Sequence, residues 1–303
     1  MKHKKIISGL AALTMLQSSA LADVNYTVQK GDSYWNISQK FNTSLTRVLD
    51  ANNAHTNSYL DIGDSVIIPK GASSGGNTQG GSTSSSGITY KTYTVKSGDT
   101  FWNIAINQGI PYQELLDTNK LTASSKIYVG MKLTIPVHNI PVKYAPSGYG
   151  ELLDWFSEAQ YVIPINTDFK IVDLATRKSF NARRTVGSGH ADCEPLTASD
   201  TAVMKEIWGG TLNWNKRSVL VKYNGRTIAA SMSGMLHAGN EGAPGGEWTS
   251  WRSDNYGEGP NYDYVKGNNA HGHFDLYFYN SIGHSSPTTN KTHQANILKS
   301  AGQ

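Results

Sequence analysis

Two short stretches in the C-terminal half place histidines and carboxylates at alternate positions. The first is HADCE, residues 190–194, and the second is HGHFD, residues 271–275. Successive side chains of a β-strand point to opposite faces, so each stretch, if extended, presents its polar groups on one side. Those groups are His190, Asp192 and Glu194 in the first stretch and His271, His273 and Asp275 in the second. The His-x-Asp pair of the first stretch and the His-x-His pair of the second could supply three or four zinc ligands and leave one position for water.

The other face of the second stretch is apolar and predicts how it is anchored. Phe274, Leu276 and Phe278 alternate with the polar residues and can pack in a core while the histidines face outward. In the first stretch Cys193 points away from the acids. Two strands from distant parts of the chain would therefore have to lie side by side for their polar faces to share one cation.

The elements that would position these strands form an α+β domain. FKIVDLATRKSFNARR reads as a hairpin, and SVLVKYNGRTIAASMSG as a stronger one because Asn224-Gly225 suits a two-residue turn. YGELLDWFSEAQYV has helical spacing, Thr197 and Asp200 begin a further helix with a capping pair, and a short helix closes the chain. Residues 235–270 show little periodicity, and a loop of that length in a compact domain is usually functional.

The segment HGHFDL resembles the His-x-His-Phe-Glu ending of lysostaphin-type metallopeptidases, part of the wider group that includes D-Ala-D-Ala peptidases. The resemblance implies zinc held by an early histidine, an aspartate and the second histidine of the pair. It assigns His190, Asp192 and His273 to the metal and His271 to acid/base work, with Asp200 as an alternative aspartate. A nearby His or Glu can carry the proton to a leaving amine, which makes Glu194 and His237 further catalytic candidates.

Other readings of the same residues remain open. The histidine pair could be a hydrogen-bonded surface pair, and Asp192 and Glu194 could stabilise the N-terminus of the following helix. Cys193 could act as a nucleophile with His237 or His273 as its base, as in cell-wall cysteine peptidases and L,D-transpeptidases. His284 and His293 are expected on the surface.

The N-terminal half contains an internal repeat. YTVQKGDSYWNIS at 26–38 recurs as YTVKSGDTFWNIA at 93–105, and LDIGDSVIIP at 60–69 recurs as IYVGMKLTIP at 127–136. The offset is 67 throughout, as from Tyr26 to Tyr93. Each copy predicts a strand, two helices and a closing strand.

Both copies resemble the LysM module, with its Tyr-x-Val-x-x-Gly-Asp start, its Trp plus Asn-Ile in the first helix and its closing Ile-Pro. The resemblance implies binding of N-acetylglucosamine-containing glycans such as peptidoglycan or chitin, in a groove between two loops. Trp35 and Trp102 lie in helices and are expected in the module cores rather than on sugars. The groove residues would be Gly31, Asp32, Ser33, Tyr34, Leu60 and Ile62 in the first copy and Gly98, Asp99, Thr100, Phe101, Ile127 and Val129 in the second.

The N-terminus reads as a secretory signal, with a cationic MKHKK, a short apolar run and a small-x-small site at Ala20-Leu21-Ala22. The apolar run is too short to span a membrane comfortably, so no stable membrane insertion is expected after cleavage. The net charge of +4 is small and no stretch beyond the N-terminus concentrates Lys and Arg, which argues against nucleic-acid binding.

The sequence thus predicts a multidomain α+β protein, with two small βααβ modules followed by an α+β domain built on antiparallel hairpins. The predicted parts are a signal peptide (1–22), a first module (24–70), a Gly/Ser-rich linker (71–90), a second module (91–137), a Pro-containing linker (138–149) and the C-terminal domain (150–303). We expect a secreted, cell-wall-associated protein that holds peptidoglycan and carries a zinc-dependent hydrolase of peptide cross-links. The competing interpretation is a non-catalytic wall or spore-surface protein.

Overall fold

The computed structural model describes residues 23–29, 63–69, 87–283 and 286–303, with isolated positions between 34 and 60. The predicted signal peptide and most of the Gly/Ser-rich linker lie outside the described residues. Among the residues that are described, no helix is both long and apolar enough to cross a membrane.

The second repeat folds as its sequence predicts, in the order strand, helix, helix, strand. Strand β3 begins at Ile88, before the predicted start of the module at Lys91. Thr100 caps the first helix by accepting a hydrogen bond from the amide of Asn103 at 3.0 Å. The elements are β3 (Ile88–Thr94), α1 (Phe101–Gln108), α2 (Tyr112–Thr118) and β4 (Lys132–His138), with β3 and β4 antiparallel.

The first repeat is described mainly at its two strands, β1 (Val24–Thr27) and β2 (Ser65–Ile68), which pair antiparallel. An asparagine fixes the closing strand in both copies. The Asn52 side chain donates to the carbonyl of Ile67 at 2.8 Å and accepts from its amide at 2.7 Å. Asn119 makes the same two bonds, at 2.8 and 2.7 Å, with Thr134. The asparagine therefore occupies the same position in both copies and makes the same two hydrogen bonds there.

The C-terminal domain is built around one antiparallel sheet. Its helical parts are a π-helical turn (Trp155–Ala159) that continues into α3 (Gln160–Val162), then α4 (Ala198–Ile207) and α5 (Lys291–Ser300). Its strands are β5 (Thr167–Asp173), β6 (Ser179–Val186), β7 (Ala191–Pro195), β8 (Lys216–Tyr223), β9 (Arg226–Ser233), β10 (His237–Ala238), β11 (Trp248–Thr249), β12 (Gly259–Pro260), β13 (Gly272–Tyr277), β14 (Ile282–Gly283) and β15 (Ser286–Thr289).

The sheet closes on itself. The strands follow the order β13, β7, β6, β5, β8, β9, and β9 in turn pairs with the C-terminal half of β13. The N-terminal half of β13 pairs with β10 instead. Closure leaves no long free edge and gives the domain an inside and an outside.

The predicted hairpins and helices are confirmed in this domain, with one shorter than expected. Asn224 and Gly225 form the β8–β9 turn with φ of 46° and 73°. Thr197 accepts from the amide of Asp200 at 3.1 Å at the start of α4. Helical spacing in YGELLDWFSEAQYV produces only the π-helical turn and α3, because Glu151 and Asp154 instead make isolated β-bridges with Ile228 and Tyr279.

Apolar side chains at every second position of the strands fill the inside of the barrel. Phe274 and Leu276 of β13 belong to this core, as predicted, and so does Cys193 of β7. The intervening residues, Asp192 and Asp275, consequently face outward on adjacent strands. The domain core is thus what turns the polar faces of β7 and β13 in one direction.

The second repeat packs against the C-terminal domain. His138 at the end of β4 stacks on Tyr161, with ring centroids 3.6 Å apart and planes within 10°. The guanidinium of Arg226 donates to the carbonyls of Ile140 and Pro141 and pairs with both carboxylate oxygens of Glu151. The segment after β4 is therefore fixed along the domain surface rather than hanging free.

Candidate metal centre

Strand register brings five polar side chains together on the outer face of the barrel. Asp275 of β13 lies directly opposite Asp192 of β7, and His273 lies opposite His237 of β10. His190, which precedes β7, completes the group. The ring nitrogen Nε2 of His190 lies 3.1 Å from Asp192 and 3.3 Å from Asp275.

The two remaining histidines approach the same carboxylates. Nε2 of His237 lies 3.5 Å from Oδ1 of Asp275, and Nε2 of His273 lies 3.9 Å from Oδ2 of Asp192. Among the residues that the structure describes, two sets of three have donor atoms within 4.8 Å of one another, and they share Asp275. One set adds His237 and His273, and the other adds His190 and Asp192.

Backbone carbonyls orient all three rings. Nδ1 of His190 lies 2.7 Å from the carbonyl of Ile282, Nδ1 of His237 lies 3.2 Å from that of Met235, and Nδ1 of His273 lies 3.3 Å from that of Tyr262. A carbonyl can only accept, so each Nδ1 donates its proton and each Nε2 turns toward the carboxylates. Metal-binding histidines are held in this way, with the second ring nitrogen on a carbonyl or carboxylate.

The distances fit a single small cation. Ligand atoms that lie 2.0–2.1 Å from a tetrahedral zinc ion are separated by about 3.3–3.5 Å. The four nitrogen–oxygen separations within the cluster, 3.1–3.9 Å, bracket that value, and the donor atoms of each set lie within 4.8 Å of one another. Imidazole nitrogen with carboxylate oxygen is a donor set that suits zinc among the common metals. The residues therefore fit a zinc ion in both chemistry and spacing.

Burial and neighbouring charges shift the pKa values of the groups in the cluster. Burial lowers the pKa of His273 to about 4, so its imidazole is neutral at pH 7 and able to ligate. Burial opposes the charge of Asp275, but the hydrogen bond from His190 and the neighbouring histidines outweigh it and lower the pKa of that carboxyl. Burial also opposes the charge of His190, yet Asp192 and Asp275 together raise its pKa to about 10. The carboxylate of Asp275 is thus charged and lies close to the neutral imidazole of His273.

Rings stack behind the cluster. Tyr277 lies between His190 and His293, with ring centroids 4.4 and 3.8 Å away and planes within about 12°. The expectation that His293 is a surface residue is wrong, because this stack and a 2.9 Å contact between its Nδ1 and Ser231 bury it. His284 lies outside the described residues.

His271 lies apart from the cluster although it precedes β13 by one residue. The strand begins at Gly272, whose φ of 89° breaks the alternation that would align His271 with His273. Nδ1 of His271 instead accepts from the amide of Glu241 at 3.1 Å, and its ring meets Trp251 edge to face. Only the part of the predicted polar face that follows Gly272 contributes to the cluster.

Glu194 and Asp200 have structural partners. The carboxylate of Glu194 accepts from the amides of Tyr264 and Val265 at 2.9–3.1 Å, which ties the long segment to β7. Burial raises the pKa of Glu194 to about 7 against the effect of those bonds. Asp200 accepts from Thr197 and from the amide of Asn181 at 2.6 and 2.7 Å.

Cys193 is fully buried in the barrel core, on the face of β7 opposite Asp192. Burial raises the pKa of its thiol well above the usual value, and Asp192 adds to the effect. A cysteine nucleophile needs an accessible thiolate near its base, so this position does not suit that role.

The cluster opens into a cleft of about 770 Å³. Asp192, His237 and His273 line it, whereas His190 and Asp275 do not. The long segment 235–270 supplies a wall that carries Arg252, Tyr256, Tyr262 and Tyr264. This wall is well bonded: the side chain of Asn261 donates to three carbonyls, and that of Arg252 donates to four.

Asp275 was expected on the polar face but not as a ligand, and Tyr256, Tyr262 and Arg252 were not expected in the cleft. The position of Asp275, two residues after His273 on the same face, could have suggested a ligand role. The tyrosines and Arg252 gave no comparable signal, because they lie in a segment without periodicity.

The structure describes the residues of the predicted glycan groove in the second repeat. They differ from one another in burial and in hydrogen bonding. Asp99 is a turn residue that accepts from the hydroxyl of Tyr93 at 2.8 Å and from the amide of Lys96 at 2.7 Å. Phe101 lies in the core of the repeat and Val129 is exposed. Trp102 is 48% exposed, so the expectation that it is a core residue is wrong. Of the first repeat, Gly31, Asp32, Ser33 and Ile62 lie outside the described residues.

Comparison with known proteins identifies the repeats. The LysM domain model matches residues 26–69 and 93–136, so the chain contains two LysM domains, which imply binding of peptidoglycan or a related N-acetylglucosamine polymer. An N-acetylmuramoyl-L-alanine amidase Sle1 of Staphylococcus saprophyticus is 38% identical over 44% of this chain and 39% of its own length. An autolysin of Enterococcus faecalis is 35% identical over 38% of this chain and 15% of its own length.

The chain therefore spans about two fifths of the length of the first of these relatives and less of the second. Among solved structures, the spore cortex-lytic enzyme SleL of Bacillus megaterium QM B1551 matches 38% of this chain and 22% of its own at 27% identity. The TM-score of 0.16 is too low to indicate a shared overall arrangement.

Proposed function

Because the chain carries two LysM domains, we propose that it is a secreted, wall-bound protein whose C-terminal domain is a zinc-dependent hydrolase of amide bonds in the peptide part of peptidoglycan. One observation carries the proposal: three carbonyl-oriented histidines and two aspartates form one cluster, and Asp192, His237 and His273 of that cluster line the floor of an open cleft. Perturbed titratable groups in a cleft are typical of active sites. The relatives named as an amidase and an autolysin support an action on the wall.

Exposure to the cleft suggests how the five residues divide the work. The set of His237, His273 and Asp275 would hold the ion, because both of its histidines line the cleft and leave a side open to substrate. This differs from the set implied by the lysostaphin resemblance, in which His190 and Asp192 were ligands. A bound zinc ion supplies a Lewis acid that polarises a carbonyl and activates water near neutral pH.

The remaining two residues would handle protons and position. Asp192 lines the cleft and its Oδ2 lies 3.9 Å from His273, so it would accept a proton from the attacking water and pass it to the leaving amine. His190 does not line the cleft. It lies between Asp192 and Asp275 and would hold both carboxylates in place.

Digestion of purified peptidoglycan sacculi tests the proposal. The zinc-loaded full chain is expected to release soluble fragments and new amino groups, to stop when the metal is chelated with EDTA, and to resume when zinc is restored. An Asp192→Asn variant should keep its zinc and lose most turnover, by about 100-fold or more, as expected for a general base. A zinc-loaded wild type that binds sacculi and generates no new amino groups would instead indicate a non-catalytic wall-binding protein.

Replacing the single cysteine separates this mechanism from the thiol alternative. Cys193→Ala is expected to cost about 1 kcal/mol of stability, for the buried sulfur that is lost, and to leave turnover within about twofold of wild type. Urea denaturation and sacculus digestion measure the two quantities. A folded Cys193→Ala protein without activity would favour a cysteine nucleophile.

A further inference from the structure

The second LysM domain forms one side of the cleft that leads to the cluster. Its contributions come from the helix α1 and the start of α2, and not from the loops of the predicted glycan groove. They include Trp102, Ile106, Ile110 and Tyr112. Arg252, Tyr256, Tyr262 and Tyr264 face the cleft from the C-terminal domain. Aromatic side chains thus stand on both sides of a floor made by Asp192, His237 and His273.

Three contacts hold this wall in position. Pro164 packs at Gly109, the residue that ends α1, where an added Cβ would meet the proline ring at 3.5 Å. The His138–Tyr161 stack and the bonds from Arg226 fix the connection between the two domains. These contacts place the LysM helices opposite the cluster across the cleft.

Trp102 is not part of the core of its own domain. Neighbours such as Phe101, Ile104 and Leu115 fill that core, and Trp102 lies outside it. Its ring lies 5.8 Å from that of Tyr112 and is inclined to it by 52°. A large aromatic pair facing a cleft is a surface that binds ligands with flat apolar faces and polar edges.

We propose that the second LysM domain is a wall of the substrate cleft, and that Trp102 with Tyr112 stacks on a sugar ring of the glycan strand whose peptide enters the cluster. The inference rests on the proposed function and adds which part of the substrate the helix face binds. The chemistry on the two sides of the cleft identifies its ligand. One side is a domain that binds N-acetylglucosamine polymers, and the other is a cluster suited to amide hydrolysis. The domain would then place the scissile bond as well as anchor the protein.

Kinetics of the full chain on sacculi provide the first test. Trp102→Ala is expected to raise the half-saturating sacculus concentration by about tenfold, with the maximal rate within about twofold and zinc content unchanged. The matched control is Trp248→Ala, since Trp248 is 70% exposed and does not line the cleft. It should leave both kinetic constants at their wild-type values.

Direct observation of the indole provides a second test that needs no turnover. In the ¹⁵N-labelled full chain, chitohexaose should shift the indole N–H signal of Trp102, assigned by its loss in Trp102→Ala, and leave that of Trp248 in place. An unshifted Trp102 signal at saturation, or wild-type kinetics for Trp102→Ala, would overturn the proposal. A wild type inert on sacculi would refute the hydrolase alone, and the indole shift would then decide whether the cleft binds glycan.

Discussion

Alanine at His237 or His273 is expected to lower zinc affinity by more than about 100-fold and to abolish peptidoglycan cleavage. Even residues that only orient metal ligands cost about 10–100-fold when they are replaced, and these two rings point Nε2 directly at Asp275 and toward Asp192. Competition with a chromophoric chelator measures the affinity, and circular dichroism verifies that the variants remain folded.

His271→Ala is the matched control for His273→Ala. It removes an imidazole two positions away that contacts Trp251 and the amide of Glu241 instead of the cluster. It should keep wild-type zinc affinity and activity. His190→Ala should weaken zinc by about 10–100-fold without abolishing binding, because His190 positions the two aspartates. A loss as complete as that of His273→Ala would assign the ion to the set that contains His190.

Gly272→Ala is expected to destabilise the domain by more than about 3 kcal/mol and to lose zinc binding. An added Cβ would lie 2.0 Å from the carbonyl oxygen of His237 and 2.7 Å from the amide of Gly239. Because φ is 89°, the backbone strain of a non-glycine residue adds to this clash. The strands β10 and β13 would have to separate, which moves His237 away from His273. Urea denaturation and zinc competition measure both effects.

Gly267→Ala controls for backbone strain alone. Gly267 has a similar φ of 77°, and an added Cβ would meet nothing within 4 Å. It should cost about 1–2 kcal/mol and leave zinc affinity unchanged. Equal stability and equal zinc affinity in the two variants would contradict the close pairing of β10 with β13.

Local patterns predicted most of the elements and the orientation of the two key strands. Alternation of Phe274 and Leu276 with His273 and Asp275 was enough to predict a core face and a polar face, and both are confirmed. The Asn-Gly turn and the Thr197 cap were read from chemistry that acts within four residues. Such signals depend only on residues that are close together in the chain, so a single sequence is enough to recognise them.

The composition of the cluster depends on register and closure, which local patterns do not contain. His237 lies beside His273 only because β9 pairs with the C-terminal half of β13, so that the N-terminal half of β13 pairs with β10. His271 shows the converse, since a single positive φ at Gly272 ends the alternation. Similarly, Glu194 continues the polar pattern of β7, but the amides of the long segment occupy its carboxylate.

The exposure of Trp102 was misjudged for a related reason. Aromatic residues in a small helical module are usually core residues, and nothing within the repeat indicates a neighbouring domain. Its surroundings are set by contacts such as that of Pro164 with Gly109, which join parts of the chain that sequence periodicity does not relate. Features of this kind require the positions of both domains.

Anomalous diffraction at the zinc absorption edge, from crystals of the full chain grown with zinc, tests the central claim most directly. The account predicts one strong peak about 2.0–2.2 Å from Nε2 of His237, Nε2 of His273 and a carboxylate oxygen of Asp275. It should be missing in His273→Ala crystals and present in His271→Ala crystals. Well-ordered wild-type crystals with no zinc peak among these side chains would contradict the account.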